Sequence, residues 1–304
     1  MLDSEPAIEK SQILEPGKLW TRIVEQSQYA LESGALLSIP TEYEFVEQDD
    51  VRFLVRVLSS LVRKDEAKQQ EKKNANPNER FNPFLPYEED LFVVNLSNTH
   101  LCLLNKFNVA EHHLLIITRK FEEQEAKLTL QDFAAAWTCL REVNGLVFYN
   151  AGKNAGASQR HKHLQLIPFP LTPEGIDVPI APLLASATFG EVVGTIPTLP
   201  FVHAFAHLML VGESPLDAAE VMLDRYDRLL RAVNLVGAYN LLVTREWMLL
   251  IPRSQESFAS ISINALGFAG TLFVRDQQQM QVLKRYSPME ILRQVGMGRF
   301  SGNR

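Results

Sequence analysis

Residues His161-Lys162-His163-Leu164-Gln165 open an apolar run that continues to Ile167 and ends at Pro168. Two imidazoles and an amide take every second position. Read as a strand, the run puts His161, His163 and Gln165 on one face and Lys162, Leu164 and Leu166 on the other. Just upstream, Asn150-Ala151-Gly152-Lys153-Asn154-Ala155-Gly156-Ala157-Ser158-Gln159 consists mainly of small and polar residues whose backbone can approach a ligand closely. A glycine-containing loop feeding a strand of aligned imidazoles suits a phosphate held beside a nucleophile.

Neutral imidazole attacks phosphorus well and leaves readily, which splits one displacement between phosphates into two easier steps. Gln165 sharpens this reading. An amide can hydrogen-bond a phosphate oxygen but cannot shuttle a proton at neutral pH. Such a site suits departure of a good leaving group, such as a polyphosphate, and favours transfer over general hydrolysis. Two other readings stay open here. His161 and His163 could be ligands of a metal-dependent enzyme, although Gln165 is a poor third ligand. The site could also belong to a nucleotide-binding module without turnover. The remaining histidines, His100, His112, His113, His203 and His207, have no Glu or Asp at recognisable ligand spacing.

The 304 residues allow one large or two modest domains, and 46% hydrophobic residues supply a substantial core. A net charge of -6 argues against a nucleic-acid surface. Only Cys102 and Cys139 occur, outside any CxxC pattern, which fits a reducing compartment without structural zinc. No apolar stretch is long enough to cross a bilayer, and residues 1–18 carry no signal core. These features predict a cytoplasmic protein with no nucleic-acid or membrane partner.

Leu19, Trp20, Ile23, Val24 and Leu31 recur at helical spacing, with Gly34 at the C-terminal end. Val51, Phe53, Val55 and Val57 alternate as in a strand. Segment 64–80 is charged and amide-rich and reads as a solvated loop or mobile flap. Residues 91–96, 101–104 and 114–118 are short β-type runs. Thr129 followed by Asp132 opens a helix carrying Phe133, Trp137 and Leu140, which Gly145 is expected to close. Residues 168–200 hold seven of the sixteen prolines and predict an extended connection between two lobes. Beyond it the pattern repeats: a helix from Ser214-Pro215, then Gly237, then strands 241–243 and 248–251 ending at Pro252. Aligning Ile167-Pro168 with Ile251-Pro252 sets Arg245, Trp247 and Leu249 opposite His161, His163 and Gln165. The second copy lacks the nucleophile, which predicts one active centre. Phe201, His203, Phe205 and His207 read as a strand face.

Together with Leu104-Asn105-Lys106-Phe107, Gly156-Ala157-Ser158-Gln159 and Asn264-Ala265-Leu266-Gly267-Phe268-Ala269-Gly270, the histidine strand resembles the diadenosine tetraphosphate phosphorylases, or ATP adenylyltransferases. That family lies in the galactose-1-phosphate uridylyltransferase-like branch of the histidine-triad superfamily. The likeness covers nearly all the chain. It implies an α+β, histidine-triad-like fold: two lobes of mostly antiparallel sheet with packed helices, from a degenerate internal duplication. Residues 1–170 would form the catalytic lobe, 171–200 the connection, and 201–304 the lobe completing the nucleotide site. The implied activity is reversible phosphorolysis of diadenosine tetraphosphate to ATP and ADP, with His163 as nucleophile, His161 bracing it and Gln165 binding a phosphate oxygen. By the same resemblance Lys64, Asn105 and Lys106 bind nucleotide, Asn150 a ribose hydroxyl, and the amides of Gly156, Ala157, Ser158 and Gln159 phosphates. Asn264, Ala265 and Leu266 reach the nucleotide from the second lobe. Thr271 and Arg275 match positions where relatives often carry Met and Lys. The implied partners are small nucleotides and phosphate, with no covalently bound cofactor and Mg²⁺ accompanying the polyphosphate. The default assembly is a monomer, because two fused lobes bury what a dimer interface would.

Overall fold

The computed structural model describes residues 13–58, 82–210 and 214–299. Lys64 and the charged segment 64–80 lie outside the described residues. The first strands are β1 (Glu42–Gln48), β2 (Val51–Val57), β3 (Phe92–Asn95), β4 (His100–Leu104) and β5 (Leu114–Thr118). Then come β6 (Gly145–Ala151), β7 (His163–Pro168), β8 (Thr188–Phe189), β9 (Gly194–Thr195) and β10 (Ala204–His207). β11 (Tyr239–Val243), β12 (Trp247–Pro252), β13 (Ser257–Phe258), β14 (Ile261–Ser262) and β15 (Thr271–Val274) complete the set. The helices are α1 (Leu19–Glu32), α2 (Leu130–Glu142), α3 (Ala181–Leu184), α4 (Pro215–Ala232), α5 (Ala265–Phe268), α6 (Gln277–Tyr286) and α7 (Pro288–Val295).

Ten strands form one sheet in the order β3-β4-β5-β7-β6-β11-β12-β10-β9-β8, every neighbour antiparallel. The order divides at β6 and β11 into two five-strand halves whose registers coincide. Leu114 faces Leu166 two residues before Pro168, and Ala204 faces Leu250 two residues before Pro252. Gly145 faces Pro168, and Tyr239 faces Pro252. The duplication read from sequence is therefore present in the pairing itself. Trp247 and Leu249 occupy the places of His163 and Gln165, as the alignment predicts. Arg245, the counterpart of His161, instead donates to the carbonyls of Leu140 and Arg141 at the end of α2. Carbonyls at a helix C-terminus lack intrahelical partners, so a guanidinium suits them.

Alternation on β7 holds. Leu164 and Leu166 enter the core shared with α1, α2 and α4, whereas Ile167 and the neighbouring Phe148 belong to the opposite core. That second core packs against β2, β15, α5, α6 and α7. A third cluster, Phe84, Leu101, Leu103, Leu115 and Ile117, lies on the histidine side of β4 and β5.

Three expectations need correction. Gly145 does not close α2, whose C-cap is Val143; it is the first residue of β6. A Cβ there would lie 2.5 Å from the Ile167 carbonyl oxygen, so close strand approach requires the glycine. On α1, Trp20, Val24 and Leu31 are exposed, and the buried stripe is Leu19, Ile23, Ser27 and Ala30. Two apolar stripes lie side by side on that helix, and docking selected the one carrying small residues. The proline-rich segment is not a free connection. Leu171, Val178, Ile180, Leu183, Leu184, Ile196 and Leu199 bury themselves in the core, and β8 and β9 extend the sheet.

Candidate active site

His163 begins β7 and is 5% exposed. Its Nδ1 lies 2.8 Å from the His161 carbonyl oxygen. A carbonyl only accepts, so Nδ1 carries the proton and Nε2 keeps its lone pair. Burial lowers the His163 pKa to about 4, so the ring is neutral at pH 7. One local bond and one desolvated setting thus keep the ring neutral with the lone pair on Nε2.

His161 is held at both ring nitrogens. Asn82 Nδ2 donates to its Nδ1 at 3.1 Å, and its Nε2 donates to the Thr118 carbonyl at 2.7 Å, with Thr118 Oγ1 at 3.0 Å. Burial also depresses its pKa. Both nitrogens already have partners, so the ring is fixed in place and has no lone pair free for a metal. Phe84 packs edge-on against both imidazoles, with ring centroids 5.7 Å from His161 and 5.2 Å from His163. Asn82, Phe84 and Thr118 carry no local sequence signal; Asn82 is 79 positions from His161.

The ladder between β6 and β7 stops at Phe148 and Gln165. Beyond that pair the Gln124 amide stands in for the missing strand bonds. Its Oε1 accepts from the His163 amide at 2.9 Å, and its Nε2 donates to the carbonyls of Asn150 and His163 at 3.0 and 3.1 Å. Buried backbone groups need partners, and here one side chain satisfies three. Gln124 is the principal residue that sequence reasoning missed.

Gln165 is oriented by His113, whose Nε2 lies 3.0 Å from Gln165 Oε1. Asn105 Nδ2 donates to His113 Nδ1 at 3.1 Å, so Nε2 bears the hydrogen and Gln165 must present its carbonyl to it. The glutamine NH2 is then the end left for a ligand. Asn105, expected at the nucleotide, reaches the site through His113. In the other half, His203 occupies the place of His113, immediately before β10. It accepts from the Ile196 amide and donates to the Phe201 carbonyl, and burial lowers its pKa to about 4. Its role is structural, as expected.

Lys162 points away, as alternation requires. Its Nζ contacts Asp132 Oδ2 at 2.7 Å, Glu122 Oε2 at 3.0 Å and the Lys127 carbonyl at 3.0 Å. Burial alone would raise the Asp132 pKa; the His100 hydrogen bond and the Lys162 charge outweigh it and hold the carboxyl below its ordinary value. Asp132 also closes a capping box with Thr129, so one buried carboxylate joins α2, β4 and the back of the histidine strand.

In the loop, Gly156 adopts φ +87°, and a Cβ there would come within 2.8 Å of the Ile263 carbonyl oxygen and 2.9 Å of Asn264 Cα. The loop therefore touches the segment that begins at Asn264. Asn264 caps α5 by accepting from the Leu266 amide, and the Ala265 amide donates to Asn150 Oδ1 at 2.9 Å. The amides of Gly156 and Ala157 are engaged inside the loop by the carbonyls of Lys153 and Gly152. Among the described residues, those of Ser158 and Gln159 donate to no protein acceptor and are the pair free for an anion.

Lys106 pairs with Glu88 at 2.7 Å, so an anion would compete with that carboxylate. Thr271 opens β15 and Arg275 follows it; that strand joins β1 and β2 in a separate three-stranded sheet. Thr271 Oγ1 is buried without a hydrogen-bond partner, and Arg275 is exposed. Among the described residues, no hydrogen bond connects either to the histidine strand.

Family models match both halves: one described as the Ap4A phosphorylase N-terminal domain over residues 9–186, and one described as the ATP adenylyltransferase C-terminal domain over 197–298. Diadenosine 5',5'''-P1,P4-tetraphosphate phosphorylase 2 of Saccharomyces cerevisiae is 28% identical over 269 residues, covering 78% of this chain and 80% of the relative. Protein APA1 of the same yeast is 25% identical over 321 residues, 95% of this chain and 97% of the relative. The crystal structure of yeast Ap4A phosphorylase Apa2 in complex with Ap4A superposes with a TM-score of 0.78 at 25% identity, covering 94% of this chain and 99% of that one. Matched along both halves of its sheet, the chain belongs to the Ap4A phosphorylase family, its first half the Ap4A phosphorylase N-terminal domain and its second the ATP adenylyltransferase C-terminal domain.

Proposed function

We propose that this chain is a nucleotidyltransferase that catalyses reversible phosphorolysis of diadenosine tetraphosphate, giving ATP and ADP through an adenylyl-histidine on His163. The single observation that carries the reading is the His163 Nδ1 bond to the His161 carbonyl, which leaves Nε2 as the attacking atom. Nε2 bonds to the α-phosphorus as the bridging P–O bond to ATP breaks. The ring then becomes cationic, and the Nδ1–H bond to the carbonyl strengthens as charge develops. A phosphate oxygen next attacks the same phosphorus, the N–P bond breaks, ADP departs, and Nε2 regains its lone pair. Gln165 donates its NH2 to a non-bridging oxygen through both steps, held in that sense by His113.

In this reading residues 1–170 supply the nucleophile and residues 201–304 complete the nucleotide site, joined by 171–200. Asn105, Lys106, Asn150, Gly156, Ala157, Ser158, Gln159, Asn264, Ala265, Leu266, Thr271 and Arg275 line or support the nucleotide path. Among the described residues no group of three His, Cys, Asp or Glu side chains could hold a metal ion. Mg²⁺ would accompany the polyphosphate by pairing with its oxygens. Among the described residues no helix is long and apolar enough to cross a membrane. The two buried free cysteines suit the cytoplasm, and we take the monomer as the working unit.

The test is to supply diadenosine tetraphosphate with and without phosphate and to separate the products. Equimolar ATP and ADP that require phosphate support the reading. Formation of AMP and ATP at the same rate without phosphate would make the enzyme a hydrolase and overturn it.

A further inference from the structure

Asn150, Asn240 and Arg253 form a buried chain of side chains across the boundary between the two halves. They are 3%, 0% and 4% exposed. Arg253 has donors only, so the Asn240 atom facing its Nη1 must be Oδ1. The Asn240 NH2 is then fixed at the other end, where it donates to Asn150 Oδ1 at 2.8 Å and to the Ala155 carbonyl at 2.9 Å. That in turn fixes Asn150. Its Oδ1 accepts from Asn240 and from the Ala265 amide, which uses both lone pairs. What remains is the Asn150 NH2, and among the described residues nothing accepts from it. With no protein acceptor, that NH2 is the end of the side chain open to a ligand or to water. Asn150 belongs to the wedge that holds the nucleophile, because Gln124 Nε2 bridges its carbonyl and that of His163.

Resting on the phosphorylase reading, we infer that Asn240 and Arg253 are positioning residues that lock Asn150 with its NH2 available to an oxygen acceptor of the bound nucleotide. The acceptor is a ribose hydroxyl or a phosphate oxygen; both offer lone pairs. The polarity of this contact is set from the second half of the chain, three links from the ligand. Arg253 has a separate structural task, since its remaining donors bond the carbonyls of Val295, Gln255 and Glu256. Polarity and stability are therefore separable in this cluster.

Asn240→Asp leaves Arg253 an oxygen but turns the other end into an acceptor, so Asn150 must rotate and present its own oxygen. Arg253→Lys keeps a cationic donor for Asn240 while losing the other bonds. Full-length variants would be titrated with AMP and with adenosine by calorimetry, and unfolded in urea. The expectation is that Asn240→Asp weakens AMP about tenfold or more, the cost of one lost buried hydrogen bond facing an unpaired group, with its urea midpoint less affected than that of Arg253→Lys. Arg253→Lys should lower the urea midpoint through its lost bonds to the Val295, Gln255 and Glu256 carbonyls. A parallel loss for adenosine assigns the acceptor to the ribose; a loss confined to AMP assigns it to the phosphate. If Asn240→Asp does not fold, Asn150→Asp decides, because it keeps both inward bonds and reverses only the free end. Wild-type-like AMP binding by the folded Asn240→Asp or Asn150→Asp variant overturns the relay alone. Failure of the wild-type protein to bind AMP overturns the nucleotide reading itself, and with it the relay.

Discussion

His163 and His203 are both buried imidazoles, each with a pKa near 4, but only one is free to react. The difference lies at Nε2. In His203 it accepts from the Ile196 amide; in His163 it has no such partner among the described residues. Both rings influence stability in the same direction. Their folded pKa lies below the ordinary value of 6.5, so the unfolded chain binds more protons below pH 6.5. Stability is fullest above that value and declines as pH falls toward about 4, by roughly 3 kcal/mol for each ring across the window. Urea unfolding at a series of pH values should show this fall, and His203→Asn should remove part of the slope. At Gln124, replacement by Leu leaves the His163 amide and two carbonyls without their partner. Stability should drop by about 3 kcal/mol, and kcat should fall more than KM rises, because the nucleophile loses its placement. The proposed pair His163 and Gln165 could be picked out in sequence because two-residue alternation is a local property. Gln124, His113, Asn82 and Asn240 could not, because they join the site by folding across 90 or fewer intervening positions with no shared spacing rule.

At the scale of elements, caps and turns were readable where their chemistry is confined to a few residues. Thr129 and Asp132 form the capping box the sequence indicated. Thr129→Ala should cost about 1 kcal/mol, read from urea unfolding, with little change in KM because α2 lies on the face opposite the nucleophile. Gly156 is more sensitive. Its positive φ and its contact with Ile263 and Asn264 leave no room for a methyl group, so Gly156→Ala should displace the loop and raise the substrate KM several-fold. Steady-state kinetics on the folded variant would show it. The α1 stripe and the proline-rich segment were misread for a common reason. Periodicity shows that a face is apolar, but the neighbour that covers it is chosen by tertiary packing. Segment 171–199 buries seven aliphatic side chains between prolines, and that pattern has no regular period to detect.

Across the whole molecule, one continuous sheet joins two copies of the same five-strand plan, and only one copy carries the His-x-His-x-Gln strand. β6 and β11 pair at the centre, setting Asn150 directly against Asn240. The second half thus packs directly against residues of the candidate site. The resulting expectation is one reactive centre per chain, at His163. The most direct measurement is intact-protein mass after incubation with diadenosine tetraphosphate in the absence of phosphate, followed by peptide mapping. A single acid-labile adenylyl group on His163, lost on adding phosphate with release of ADP, is expected. Unimpaired phosphorolysis by His163→Asn, or an adduct mapping to another residue, would contradict the central claim.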